Sequence, residues 1–359
     1  INNINAIINP SNVMFQTLAP DTNAYFEALK GSRMSTIYAS SFWMRGIRNS
    51  DSALMGSFQS YISTPINNNF TTGPLTVVSG SGSGIKKDFG SATTNTSVQA
   101  VWNKIFCIER IDLERFVRWY NCTQNPACDA SVDFPGYSMP SSILDWPAHG
   151  DPSLSQDYYM APFFDNNGDG IYSPSNGDYP CIKGDKYCWY IINDKRTSSQ
   201  SKMGIEIHTE VYSFDRDSLN SLSNTIFVGR DIINRSTATY NDFTLAQFTD
   251  FDIGCSSDDY IGSMPSLNSY YAYNGDATDD NCTGGAIPYG INPPAQGVTF
   301  LNQTMTKSKY YSNSSGNQGD PRNHAEVYQY MNGNWKDGTP QKYNNTTTNK
   351  IFIIWSKIF

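Results

Sequence analysis

Residues 204–214 read GIEIHTEVYSF. Ile205, Ile207, Thr209 and Val211 fall on one side of an extended chain, and Glu206, His208 and Glu210 on the other. This alternation is the period of a β-strand with one apolar face. Three neighbouring runs have the same character: YCWYIIN at 187–193, NTIFVGRDIIN at 224–234 and DFTLAQFTDFD at 242–252. Four strands within about 70 residues, joined by polar turns, predict an antiparallel β-sandwich. The fold class expected is therefore mostly β, with long loops and a short helix.

The remaining sequence extends this reading in both directions. STIYASSFWMRGI at 35–47 is aromatic and β-branched, as buried strands are. The helix is expected near 112–120, where Asp112 stands as a cap and Leu113, Phe116, Val117 and Tyr120 share one face. Residues 64–97 are polar and carry SGSGSG at 79–84, a linker composition without the lysine ending of a phosphate loop. The chain closes on IFIIWSKIF at 351–359, a strand expected to complete its own sheet rather than a neighbouring copy's. Two regions are expected, 1–150, β-rich with the short helix, and 151–359, holding a calcium loop and the sandwich, with one continuous domain as the alternative.

FFDNNGDGIYSPSNGDYP at 163–180 contains the candidate metal centre. Asp165, Asn167 and Asp169 alternate and Gly170 follows, the opening of a D-x-[DN]-x-[DN]-G calcium loop. Alternate oxygens converge, the glycine permits a sharp turn, and Ile171 offers its carbonyl. The twelfth position is Asn176 rather than Glu, and Pro162, Pro174 and Pro180 crowd the loop, so an EF-hand is excluded. Asp178 is the expected closing carboxylate. The competing reading is a set of Asx turns without metal. A possible second calcium site draws on Asp250, Asp252, Asp258, Asp259 and Asp276, because crowded carboxylates repel unless a cation or solvent screens them.

Seven cysteines punctuate the chain. Cys122 with Cys128, and Cys181 with Cys188, enclose short polar loops and are expected to be bonded in an oxidising compartment. Cys255 and Cys282 form a third candidate pair, leaving Cys107 over. Charged residues are only 16%, below the usual quarter, with six glutamates among the acids. A net charge of −8 argues against binding nucleic acid through phosphate. No run of about 20 apolar residues marks a membrane span. Neither G-x-S-x-G nor H-E-x-x-H occurs. His149, in SILDWPAHGDPS, and His208, between two glutamates, are read as a packed loop histidine and part of a solvated strand face.

Eight segments together carry a family resemblance: INNINAIIN at 1–9, SILDWPAHGD at 142–151, APFFDNNGDGIYSPSNGDYPCIKGD at 161–185, NTIFVGRDIINRS at 224–236, DFDIGCSSDDYIG at 250–262, YAYNGDATDDN at 271–281, YGINPPAQGVTF at 289–300 and NGNWKDGTP at 332–340. The chain resembles large secreted or surface proteins of the Bacteroidota that usually bear a C-terminal type IX secretion sorting domain. The resemblance implies export to the cell surface or medium and carries no catalytic residues. The expected function is that of an extracellular, calcium-stabilised structural or adhesive protein. Its partners would be copies of itself, other surface proteins or glycans, with no nucleic acid. The alternative is a secreted carbohydrate-active enzyme or glycan-binding module.

Overall fold

The computed structural model describes residues 2–18, 23–62, 70–76, 93–195, 202–216, 221–280, 282, 286–312 and 314–341, and the backbone of 350–357. The SGSGSG segment lies outside the described residues. The chain is mostly β, with antiparallel sheets and few helices. It forms two compact units, each assembled from separate pieces: 1–2, 72–193 and 204–237 in the first, and 3–71, 194–203 and 238–359 in the second. The boundary expected near residue 150 falls inside the first unit, because strands paired across long sequence separations decide the grouping.

The first unit is built on the strand Ile205–Ser213, which pairs antiparallel with Phe227–Asn234 on one side and Lys186–Asn193 on the other. Phe106–Glu109 pairs with the far edge of Lys186–Asn193. Helices α1 (Thr96–Trp102), α2 (Arg110–Gln124), α3 (Ala130–Asp133) and α4 (Ser141–Leu144) precede these long strands. Trp102 of α1, Phe116 of α2 and Ile143 of α4 close a core with Tyr187, Trp189 and Ile191. The apolar spacing of α2 is the one expected, but the helix starts at Arg110. Asp112 thus lies in its first turn, where a carboxylate complements the helix dipole, rather than at the cap.

The second face of Ile205–Ser213 corrects the sequence reading. Glu206 is completely buried and His208 is 7% exposed, so this face is covered rather than solvated. Glu206 Oε1 accepts from Arg235 Nη2 at 2.7 Å, Arg235 Nε at 3.1 Å and His208 Nε2 at 2.9 Å. Its Oε2 accepts from the Leu75 amide at 2.7 Å, and Arg235 Nη1 reaches Asp157 at 2.6 Å. Burial alone would raise the Glu206 carboxyl; the bonds to His208 and Arg235 outweigh it and hold the group below its ordinary value. Alternation found the strand, but a charged face covered by its own counter-ions has the same sequence as a wet one.

In the second unit a five-stranded sheet runs in the order Lys307–Ser312, Lys350–Lys357, Tyr240–Phe251, Ile37–Arg48, Leu54–Ser57. The 350–357 strand completes this chain's own sheet, as expected. Trp43 and Phe248 stack across the central pair at 5.5 Å, and Val327, Tyr330 and Met331 of α5 (His324–Asn332) join the same core. A three-stranded sheet, Asp259–Met264, Ser269–Asn274 and Gln296–Thr299, follows.

Removing one partner of a buried ion pair leaves the other charge uncompensated, at a cost of about 3–5 kcal/mol. Arg235→Ala should therefore lower the stability of the chain by about that amount in urea unfolding, while the exposed-pair variant Arg48→Ala should change it far less, because solvent screens that pair. Equal effects of the two would contradict the role given to Arg235.

Candidate metal centres and contact surface

The 165–178 loop is held by its own side chains. Asp165 Oδ1 and Oδ2 accept from the amides of Gly168 and Gly170, each at 2.7 Å. Gly168 and Gly170 have φ of +76° and +75°, which only glycine adopts without strain. Asn167 Nδ2 donates to Asp169 Oδ2 at 2.8 Å, and Asp169 Oδ1 accepts from the Ile171 amide at 2.7 Å. Asp178 is fully buried; its oxygens accept from Asn166 N and Ser173 N, both at 2.8 Å, and so pin the two limbs of the loop together. Among the described residues, Asp165, Asp169 and Asp178 do not bring three carboxylate oxygens within 4.8 Å of one another. The donor set is nonetheless all oxygen, as a hard cation requires, and a carboxylate oxygen holding one amide keeps a second lone pair.

The second acidic set separates into three parts. Asp250 is bonded by the Tyr61 hydroxyl at 2.8 Å, and burial, then the neighbouring Asp252, pushes its carboxyl up. Asp276 is spent on a turn, its Oδ1 accepting from Thr278 N at 2.8 Å. Asp252 and Asp259 are each pushed up to about 7, first by burial and then by neighbouring charge, from Asp259 on Asp252 and from Asp258 and Asp279 on Asp259. Asp279, absent from the expected set, is buried beside them, its oxygens accepting from Cys255 N at 3.0 Å and Tyr289 N at 2.5 Å.

Three disulfides are present: Cys107–Cys188, Cys122–Cys128 and Cys255–Cys282. The expected Cys181–Cys188 bond is corrected by strand pairing. Phe106–Glu109 lies against Lys186–Asn193 in a register that puts Cys107 opposite Cys188, with Cα atoms 4.0 Å apart. Cys181 is left as an exposed thiol, beside Arg110, Glu114 and Arg118 in an open groove of about 720 Å³.

The other two histidines, like His208, have structural surroundings. His149 Nε2 accepts from the Tyr172 amide at 2.8 Å, so its proton resides on Nδ1 and points at the Tyr158 carbonyl, 3.2 Å away. Both of these partners are backbone groups, as suits a packed loop histidine. His324 stands edge-on to Phe58 at 4.7 Å, and burial, then the Lys202 charge, pushes it down to about 4.

One feature of the surface depends on strand register as well as on local alternation. Tyr260, Tyr271 and Tyr273 share the outer face of the three-stranded sheet, with Tyr260 and Tyr273 directly paired and stacked at 6.0 Å. Tyr271 pairs with Gly262 on one side and Gly297 on the other. A β-carbon on Gly262 would lie 2.5 Å from the Tyr271 ring, so the ring lies over the glycine. Tyr273 is 42% exposed.

No protein family, curated protein or solved structure matches this chain. Among the described residues no helix is long and apolar enough to cross a membrane.

The folded His324 binds its proton less readily than the unfolded side chain, whose value is about 6.5. Its contribution is therefore complete above about 6.5 and is lost as pH falls toward 4. The thermal midpoint of the native chain should drop more steeply over that window than that of His324→Gln. Parallel curves would contradict the assignment.

Proposed function

We propose that this chain is an exported, calcium-stabilised β protein of structural or adhesive character that works by surface contact. The observation that carries the reading is the tyrosine strip of Tyr260, Tyr271 and Tyr273, a part-exposed aromatic surface on a rigid sheet. Tyrosine is suited to contact surfaces: each ring offers apolar area, a hydroxyl and little conformational entropy to lose. The three disulfides support export, since such bonds persist in oxidising compartments. The resemblance to Bacteroidota secreted and surface proteins points the same way and to type IX secretion as the route.

Calcium would be held in the 165–178 loop by Asp165, Asn167, Asp169 and the Ile171 carbonyl, with Asp178 fixing the loop ends. The ion would neutralise the carboxylates and stiffen the loop. Calcium at about 100 times its dissociation constant adds about 2.7 kcal/mol to the folded state. The thermal midpoint should rise on adding calcium after chelator treatment, and Asp169→Ala should reduce that rise. Equal midpoints in calcium and chelator would remove this part of the reading.

The ring faces of the strip also suit stacking on sugars, which favours a glycan-binding module as the second reading. Sedimentation at increasing concentration and retention on immobilised polysaccharides separate the two. Tyr271→Ala with Tyr273→Ala should abolish whichever contact is observed while leaving the folded chain soluble. A double variant that self-associates and binds polysaccharide as the native chain does would overturn the assignment of the contact to this strip.

A further inference from the structure

We propose that Asp258, Asp259 and Asn274 form a second cation site, at one end of the three-stranded sheet, for a hard divalent ion of the calcium type. Asp259 opens its strand and pairs directly with Asn274, the last residue of the neighbouring strand. Directly opposed residues of an antiparallel pair project to the same face, with β-carbons about 5 Å apart. Here that face turns inward: Asp259 is 4% exposed and Asn274 is 7% exposed.

The two side chains confront one another as acceptors. Asp259 Oδ2 accepts from the Ile253 amide at 2.8 Å, but its buried Oδ1 has no partner. Asn274 Nδ2 lies 3.3 Å from the Asp276 carbonyl and 3.4 Å from Asp276 Oδ1, and the side chain also bonds that of Asp258, while its own Oδ1 is left buried and unpartnered. A third buried oxygen without a partner, Asp258 Oδ1, belongs to the adjoining residue. The Asp258 carbonyl accepts from Gly275 N at 2.9 Å, which ties Asp258 to the residue following Asn274.

An unmet buried acceptor costs roughly 1–3 kcal/mol, and more when it is charged. The neighbouring Asp279 supplies an internal comparison: each of its oxygens holds an amide. At Asp259 the backbone supplies one amide and no more. A single group that meets all three acceptors, two of them carboxylate, and brings positive charge is a cation. Water would give hydrogen without charge. Carboxylate and amide oxygens, with no imidazole or thiolate among them, select calcium or a similar hard ion over a transition metal. The ion would bind the ends of two strands together beside the Cys255–Cys282 bond.

This site is independent of the 165–178 loop and is tested with that loop disabled. The full chain carrying Asp169→Ala, an exposed position, is stripped with chelator and titrated with calcium by calorimetry. One ion per chain is expected. Adding Asp258→Asn should weaken that binding at least about tenfold, equivalent to about 1.4 kcal/mol, and Asn274→Asp should tighten it. No heat and no rise in thermal midpoint with the Asp169→Ala chain would overturn the proposal, as would unchanged binding after Asp258→Asn. Such results would mean that water or a turned Asn274 amide fills the position. If the Asp169→Ala chain does not fold, equilibrium dialysis of the native chain against Asp258→Asn decides the matter: one ion fewer supports the site, and equal counts overturn it.

Discussion

A carboxylate removed from water must be given a donor or a positive charge for each oxygen, and this chain buries many. Glu206 meets the condition with Arg235, His208 and the Leu75 amide. Asp178 meets it with two amides from either limb of its loop, and Asp194 with the Ser57 hydroxyl and the Met203 amide at 2.9 and 2.7 Å. For Glu206 and Asp194 some of the donors, Leu75, Arg235 and Ser57, come from segments distant in sequence, so the carboxylate does work usually assigned to apolar packing: it fixes where one segment lies against another. The difference is that a carboxylate specifies donors at defined angles, whereas an apolar contact tolerates sliding.

The same condition explains why aspartate predominates over glutamate here. A short side chain delivers its oxygens close to the backbone, where amides are available, as at Asp165, Asp178 and Asp279. Glu206, with its longer side chain, reaches both the Arg235 guanidinium and the Leu75 amide. Loops in this protein are consequently organised from within. Gly254 illustrates the tightness required, since a β-carbon there would stand 2.0 Å from Asp279 Oδ2, and its φ is +59°.

What could be read in the sequence and what could not divide along physical lines. Strand periodicity is local, and the strands at 187–193, 205–213 and 242–252 were legible from it. The apolar face of α2 was legible for the same reason. Whether Glu206 and His208 face solvent depends on Arg235 and Asp157, which no local window contains. The Cys107–Cys188 bond depends on strand register, and short spacing to Cys181 pointed to the wrong partner. Within the acidic cluster, composition identified the region, but the distinction between Asp276 in a turn and Asn274 in the interior depends on which face of a strand each occupies. Asn274 carries no charge and therefore gave no signal, although the alternation YAYN at 271–274 places it on the face of the buried Ala272.

The strand order of the five-stranded sheet also fixes when the protein can become stable. Its centre joins residues 37–48 to 240–251, and 350–357 is inserted between 240–251 and 307–312. Until that insertion occurs, two strands present unpaired backbone groups to each other across a gap. A chain emerging from a ribosome or a secretion pore therefore cannot close this sheet progressively; it must wait until residue 357 has been delivered. Pairings of such separation close slowly, because the entropy of the intervening loops is lost before the contacts form. The topology thus leaves the five-stranded sheet incomplete until its last strand in sequence has been made.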